Sequence, residues 1–210
     1  MIQPAQSNSL SQSSNDLGLQ YLQACLSRLD VSIQRAMRRW QLAGQDPADP
    51  FRGLRISDAE ATALLVRPFA GHWGQLAELD AAEAAAFDQA ELDATTAIHN
   101  IEQAAQQRGV RLPLQALAAT FQLAAFDLEA FLICLAPGLD LRYERLYAYL
   151  QDDVMRKQAS VNLILDLLVE PGLDRLRLLT HFMPAAPLMK YHLLESGESA
   201  AGSAPDSMTR

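Results

Sequence analysis

The chain has 210 residues, half of them apolar and a fifth charged, a balance typical of a globular protein with a sizeable core. Its 17 basic and 25 acidic side chains give a net charge of −8, and acidic residues are in excess both before and after residue 110. Because phosphate neutralisation supplies most of the affinity of nucleic-acid-binding domains, this charge argues against nucleic acid as the partner.

The sequence also argues against a membrane or secreted location. It contains no uninterrupted apolar window of about 18 residues, and its polar N-terminus lacks the basic and apolar regions of a secretory signal. Cys25 and Cys134 lie far apart on apolar helical faces, which favours two free thiols over a disulfide. We therefore expect a cytoplasmic protein with no membrane contact.

The N-terminal part of the chain predicts a leader and a long helix. Residues 1–14 are rich in serine and glutamine without apolar periodicity, so we expect them to be disordered. Ser14 or Asn15 then caps a helix that ends near Gly44. Six residues form a heptad seam along it: Leu22, Leu26, Leu29, Ile33, Ala36 and Trp40. The seam fits an intramolecular amphipathic helix, and the alternative is self-association through 16–43.

A second long helix is predicted after a connector. Residues 49–56 contain proline and glycine, and Ser57 to Glu60 form an S-x-x-E capping box for a short helix. From Gln75 to Gln107 the sequence is alanine-rich with a helical apolar side, and Gly109 ends it. Since its alanines allow close packing, its simplest partner is the first helix. We thus predict a long-helix hairpin or small bundle over 15–109.

After Gly109 the helices become shorter, and the predicted ones are Pro113–Ala124, Asp127–Leu135, Leu141–Lys157, Ser160–Val169 and Asp174–Thr180. Pro137-Gly138 and Pro171-Gly172 separate them. Leu188–Leu194 is predicted as a short strand. We place a domain boundary near Gly109, a compact unit over 110–195, and a flexible Gly/Ser/Ala/Pro-rich linker over 196–210.

Three phrases carry a family resemblance: DPFRGLRISDAEATALL over 49–65, FDLEAFLICLAPGLDLRYERLYAYLQDD over 126–153, and SVNLILDLL over 160–168. Together they resemble the N-terminal region of bacterial AAA-family ATPases. That resemblance implies a winged-helix-like unit ahead of an ATPase module that is missing from this chain. It also implies service to a phage-tail-like contractile injection system. The predicted fold is mainly α, a long-helix hairpin followed by a compact winged-helix-like domain with little β structure.

The motifs of enzymes and metal sites are missing from the sequence. It has no G-x-x-x-x-G-K-[ST] phosphate loop, and neither of its two lysines follows a glycine. No two histidines have i, i+4 spacing, and neither cysteine belongs to a C-x-x-C. We expect no catalysis, metal or cofactor in this chain. ATP and Mg²⁺ are expected only in the absent ATPase module.

One helix carries the candidate contact residues. Tyr143 and Tyr147 are an i, i+4 pair, and Arg142 and Arg145 are i, i+3 neighbours. These side chains fit a core helix with internal ion pairs, or a protein-contact surface, since tyrosine and arginine are enriched at interface hot spots. We select Arg142, Tyr143, Arg145 and Tyr147 as candidate partner-contact residues.

In a winged-helix arrangement the same helix would be the recognition helix. The acidic residues around it, Glu144, Asp152 and Asp153, argue against a surface that follows phosphates, and we read the two aspartates as solvated or salt-bridged. The predicted function is a non-catalytic protein-interaction or substrate-engagement domain. The alternative is a DNA-binding winged helix.

Overall fold

The computed structural model describes residues 5–43 and 77–195, with side chains from residue 16 onward. Within these ranges the chain forms eight α-helices, one 3-10 helix and no β-strand, which confirms the predicted mainly α fold. The elements are α1 (Ala5–Leu42), α2 (Ala81–Gln107), α3 (Pro113–Phe121), α4 (Ala125–Leu139), α5 (Arg142–Leu150), α6 (Val161–Leu168), α7 (Asp174–Leu178), the 3-10 helix (Leu179–Phe182) and α8 (Pro187–Lys190).

None of the described helices is both long enough and apolar enough to cross a lipid bilayer. Several sequence predictions lie outside the described residues: the connector over 49–56, the capping box from Ser57 to Glu60, and the linker over 196–210.

The first two helices form the predicted hairpin. The carboxylate of Asp80 caps α2 by accepting the backbone N–H groups of its first turn. Near the C-terminal end of α1, Arg38 pairs with Glu83 at 2.7 Å. Nearer the N-terminal end, the hydroxyl of Tyr21 donates to Glu102 at 3.0 Å. Because late positions of α1 meet early positions of α2, the two helices run antiparallel.

The start of α1 differs from the sequence prediction. The helix begins at Ala5, so the cap predicted at Ser14 or Asn15 is wrong, and residues 5–14 of the predicted leader are helical. Serine and glutamine cost only a few tenths of a kcal/mol in a helix interior. Extending an existing helix is also much easier than nucleating one. A polar composition alone therefore did not predict where the helix begins.

The hydrophobic core consists of two clusters, and α1 contributes to both. The larger cluster combines Ile33 and Trp40 of α1 with buried residues of α4, α5, α6 and α8. The smaller cluster combines Tyr21 and Cys25 of α1 with residues of α2 and α4. Gly109 has a φ of 63°, the left-handed conformation that glycine adopts just past a helix. A domain boundary there stays a prediction, and α1 belongs to the cores on both sides of it.

The heptad seam of α1 packs inside the chain. Leu29, Ile33 and Trp40 are buried, and Leu26 and Ala36 pack against the same cluster. An apolar surface that is already covered cannot pair with a second helix. The alternative of self-association through the seam of 16–43 is therefore rejected, and the seam packs within the chain.

The predicted break at Pro137 does not occur, because α4 continues to Leu139. Proline has no N–H, so the carbonyl of Ile133, four residues earlier, loses its helical donor. The hydroxyl of Tyr147 in α5 donates to that carbonyl at 2.8 Å. A side chain of the next helix thus replaces the missing amide and lets α4 accommodate its proline.

The next helix is shorter than predicted. α5 ends at Leu150 rather than near Lys157. Asp152 has a φ of 52°, which a right-handed helix cannot continue through. The side chain of Gln151 bonds to carbonyl groups of the loop that follows. The loop therefore satisfies its own polar groups, which the apolar periodicity did not indicate.

The strand predicted over Leu188–Leu194 is wrong. Pro187 begins α8, since its fixed φ suits the first position of a helix. The N–H groups of Leu193 and Leu194 then both bond to the carbonyl of Leu188, at 2.9 and 3.1 Å. The described residues contain no strand with which this segment could pair.

The contact between Tyr147 and Ile133 can be tested by a double-mutant cycle with Pro137. Tyr147→Phe leaves a buried carbonyl unpaired and should lower the free energy of unfolding by about 1–3 kcal/mol. In a Pro137→Ala background the restored backbone N–H can bond to Ile133, so the cost of Tyr147→Phe should be smaller. Denaturant unfolding of the four proteins measures the coupling. An equal cost in both backgrounds would contradict this role of the hydroxyl.

Candidate interaction surface

Helix α5 places the four candidate contact residues on two different faces. Tyr143, Tyr147 and Leu150 follow the i, i+4, i+7 pattern of a buried helical stripe, and both tyrosines are 0% exposed. Arg142 and Arg145 are exposed. The two tyrosines are therefore removed from the candidate contact residues, because a buried ring cannot contact a partner. Among the four candidates, only the arginines lie on the surface.

Tyr143 belongs to a small polar network between α1 and α5. Its hydroxyl donates to Asp30 Oδ1 at 2.8 Å. Arg142 donates to the other oxygen of Asp30 at 2.7 Å and lies over the Tyr143 ring at 4.9 Å from its centroid. Arg142 also pairs with Asp140 at 3.1 Å. The positive charge of Arg142 thus holds α5 against α1 and is balanced by two carboxylates.

Burial determines the ionisation of both tyrosines. It raises the pKa of Tyr143 to about 12, and the hydrogen bond to Asp30 acts in the same direction. Burial also raises the pKa of Tyr147, whose hydroxyl donates to a backbone carbonyl. Both hydroxyls are therefore neutral hydrogen-bond donors at physiological pH, a structural role rather than a reactive one.

Arg145 remains the candidate for a partner contact. It is exposed on α5, whereas its neighbour Glu144 pairs with Lys157 at 3.3 Å. Among the described residues, four cationic side chains have no carboxylate within 4 Å: Arg108, Arg111, Arg145 and Lys190. Of these four, Arg145 is the one on the exposed face of α5, so its charge is available to a ligand.

The arginines of α1 are paired within the chain. Arg35 pairs with Asp88 at 2.6 Å and with Glu91 at 3.5 Å, both in α2. Arg39 pairs with Glu170 at 3.1 Å, just past α6. Arg28 and Arg38 pair in the same way with acids of α4 and α2. This side of the molecule therefore presents neutralised ion pairs rather than a positive surface.

Two buried polar residues have roles that the sequence did not reveal. Arg175 pairs with Asp166 at 2.6 Å and donates to the carbonyls of Leu165 and Val169 at the end of α6. It therefore serves as a side-chain cap for that helix. Asp127 is the other such residue. The sequence pattern gave no signal for Arg175, whereas Asp127 is the third residue of α4, where a carboxylate can accept the N–H of Ala124.

Among the described residues, Asp127 and the two cysteines lie in structural surroundings. Asp127 bonds to His181 Nδ1 at 2.7 Å and to the backbone N–H of Ala124, which fixes the 3-10 helix against the start of α4. Burial raises the pKa of the Cys25 and Cys134 thiols to about 11, so both are protonated near neutral pH. Within the described residues no cluster of His, Cys, Asp or Glu could hold a metal ion.

The raised pKa of Tyr143 predicts a loss of stability in alkali. An unfolded tyrosine titrates near pH 10, whereas Tyr143 in the fold does so at about 12. The unfolded chain therefore loses this proton first, and the stabilisation from Tyr143 falls as pH rises between those values. Tyr143→Phe should reduce the slope of melting temperature against pH above about pH 10. Equal slopes for wild type and Tyr143→Phe would contradict the assignment.

The sequence matches a known protein family. Residues 13–210 match the family model described as "Winged helix domain, variant". No curated protein and no solved structure gave a significant match. Because the family model covers nearly the whole sequence, the chain belongs to the variant winged helix domain family.

Proposed function

We propose that this chain is the non-catalytic, cytoplasmic protein-interaction region of an AAA-family ATPase, and that it engages substrate for a contractile injection system or a similar assembly. The resemblance of residues 49–65, 126–153 and 160–168 supports this parentage. The winged helix family accords with it. ATP and Mg²⁺ would bind only in the ATPase module, so this region would act through contacts rather than catalysis.

The observation that carries the proposal is the conflict between the fold and its charge. A winged helix that reads DNA needs cations free to meet phosphates, because these contacts supply most of its affinity. Here Arg142 is bound to Asp30 and Asp140, and the arginines of α1 are bound to acids of α2, α4 and the end of α6. Of the four described cations without an ion pair, Arg145 is the one on α5, and one free charge beside ion-paired arginines fits a protein contact better than a phosphate track.

The alternative is a DNA-binding winged helix. It is favoured by the family itself and by the position of Arg145 on the outer face of α5. Arg108 and Arg111 lie close together in sequence at the end of the hairpin and could add phosphate contacts. The two functions differ in what Arg145 meets, which can be measured directly.

DNA binding separates the two functions. At physiological salt we expect affinity for duplex DNA no better than the micromolar range typical of non-specific binding, on the order of 10⁻⁶ M or weaker. Fluorescence anisotropy with random and selected duplexes measures it, with Arg145→Ala as the comparison. Sub-micromolar, sequence-selective binding that Arg145→Ala weakens would replace the proposal with the alternative.

Arg145 can be tested in the ATPase that carries this region. Arg145→Ala should cost under about 0.5 kcal/mol of stability, because the side chain is exposed and without an ion pair. It should nevertheless weaken substrate capture and substrate-stimulated ATPase activity, since few interface residues carry most of the binding energy. Leu150→Ala is the structural control and should cost about 2–5 kcal/mol, because Leu150 is buried.

Two results would contradict this assignment. Unfolding of the region by Arg145→Ala would make the residue structural. Unchanged substrate capture and ATPase stimulation in a folded Arg145→Ala variant would exclude it from the contact. The parentage has a separate test, which is whether the source gene encodes a phosphate-loop motif downstream of residue 210.

A further inference from the structure

Two leucines are exposed where the chain turns from α4 into α5. Leu139, the last residue of α4, is 47% exposed, and Leu141, the residue before α5, is 72% exposed. An isolated leucine at a protein surface needs no explanation, but adjacent apolar side chains with charged residues at their edge are typical of interaction sites. We call residues 138–141 the leucine turn.

Hydrogen bonds hold the leucine turn in a fixed shape. The N–H of Asp140 donates to the carbonyl of Ala136 at 3.0 Å, and the carbonyl of Asp140 accepts the N–H of Tyr143 at 3.1 Å. The carboxylate of Asp140 also accepts the backbone N–H of Arg142 at 2.9 Å and pairs with its guanidinium at 3.1 Å. Because the turn is already ordered in the free chain, a partner contact there would lose little conformational entropy.

Gly138 leaves open space beside these leucines. A Cβ atom added to it would have no atom of the described chain within 4 Å. Gly138 lies in α4 and lacks the positive φ that favours glycine. Neither crowding within the chain nor backbone conformation therefore requires glycine, which is a poor helix former. The space beside it is open to a neighbouring molecule.

Arg145 lies on the same helical face as Leu141. The backbone of Leu141 is already helical, with a φ of −61° and a ψ of −15°. Residues four apart on a helix have their Cβ atoms about 5–6 Å apart. Arg145 is exposed and has no ion pair among the described residues, whereas Arg142 is bound to Asp30 and Asp140. The leucine turn and Arg145 therefore form one surface that is both apolar and positively charged.

We propose that this surface binds an amphipathic segment of a protein partner, in which a carboxylate lies within one helical turn of apolar side chains. The carboxylate meets Arg145, and the apolar side chains cover the leucines. This inference rests on the proposed function, because it specifies what the contact at Arg145 recognises.

The charges around the surface restrict the partner further. Arg145 offers a positive charge that no carboxylate of the described chain neutralises, so charge complementarity favours an acidic group. Asp140 and Glu144 lie beside it, and their negative charges would repel a segment that carries many acids. A phosphate group would pair with Arg145 but leave the leucines uncovered. A segment with one acid and neighbouring apolar residues fits both parts of the surface.

The first test uses two fluorescently labelled helical peptides of about 15 residues. One carries glutamate and leucine at i, i+4 spacing on one face, and the other has lysine in place of glutamate. Fluorescence anisotropy measures their binding to the chain. We expect the glutamate peptide to bind with a dissociation constant below about 1 mM, and the lysine peptide to bind at least about tenfold more weakly, because its charge is repelled by Arg145.

Substitutions then locate the binding surface. Arg145→Ala and Leu141→Ala should each weaken binding of the glutamate peptide on the order of tenfold. Arg145→Glu should reverse the preference between the two peptides, because it reverses the charge that they meet. Leu173→Ala is the matched control and should bind as the wild type does, because Leu173 is another leucine that is 71% exposed and it lies outside the leucine turn.

Gly138→Gln separates a binding role of the turn from a structural one. Glutamine is the better helix former, and a Cβ atom at this position has room, so the melting temperature should not fall. The longer side chain should nevertheless weaken binding of the glutamate peptide on the order of tenfold, because it fills the space that the partner needs. A turn with a structural role alone would show no change in peptide binding.

Several outcomes would overturn the proposal. These are no binding of the glutamate peptide, equal binding of the two peptides, and binding that Leu141→Ala or Gly138→Gln leaves unchanged. Sedimentation equilibrium adds another, since a dimer that Leu141→Ala dissociates would assign the surface to a second copy of the chain.

The proposed function has its own readout. If Arg145→Ala lowers the substrate-stimulated activity of the ATPase while Leu141→Ala and Gly138→Gln do not, the proposed function holds and this inference fails. If the peptides and variants behave as expected but the source gene encodes no phosphate loop, the surface is supported and the ATPase parentage fails.

Discussion

The hydrogen bond from Tyr147 to the carbonyl of Ile133 makes the centre of this fold possible. It supplies the donor that Pro137 lacks, so α4 can run through the proline to Leu139 before the chain turns. The turn then returns α5 along α4 and against α1, where Tyr143 reaches Asp30. A proline that would otherwise end a helix too early is thus matched by a tyrosine one helix later. The two residues act as a pair across the turn.

The ion pairs, like the hydrophobic core, connect different helices. The arginines of α1 and α5 meet carboxylates on neighbouring helices, so each ion pair joins two elements. Partly exposed pairs of this kind contribute little stability individually, because water screens them. Their larger effect is on the positive charge available at the surface, since arginines that are bound internally are not available to phosphates.

Sequence patterns predicted the parts of the fold that depend on local chemistry. The two long helices follow from apolar periodicity, and the end of α2 from Gly109. The helix predicted from Ser160 also forms, and the hydroxyl of Ser160 caps it by accepting the N–H of Leu163. Local rules failed where a distant residue decided the outcome. Pro137 was expected to break α4 because its compensating donor lies in another helix.

At the candidate site, too, local spacing could not predict what a distant residue determines. An i, i+4 tyrosine pair with nearby arginines fits a core helix and a contact surface equally well. Only the position of Asp30, more than a hundred residues earlier, determines that Tyr143 faces inward. That Arg145 has no ion pair among the described residues likewise depends on where the acids lie in the folded chain. The order of the loop after α5 depends on Gln151, a residue whose type carries no local signal for such a role.

The sharing of α1 between the two clusters has a consequence for how the molecule responds to force and heat. A helix that supplies Tyr21 to one core and Ile33 to the other cannot leave either without exposing both. The two clusters should therefore melt as one cooperative unit. A pull or twist applied at one end of α1 would be transmitted along a rigid rod to the opposite core. Such a helix is a mechanical link between the two clusters.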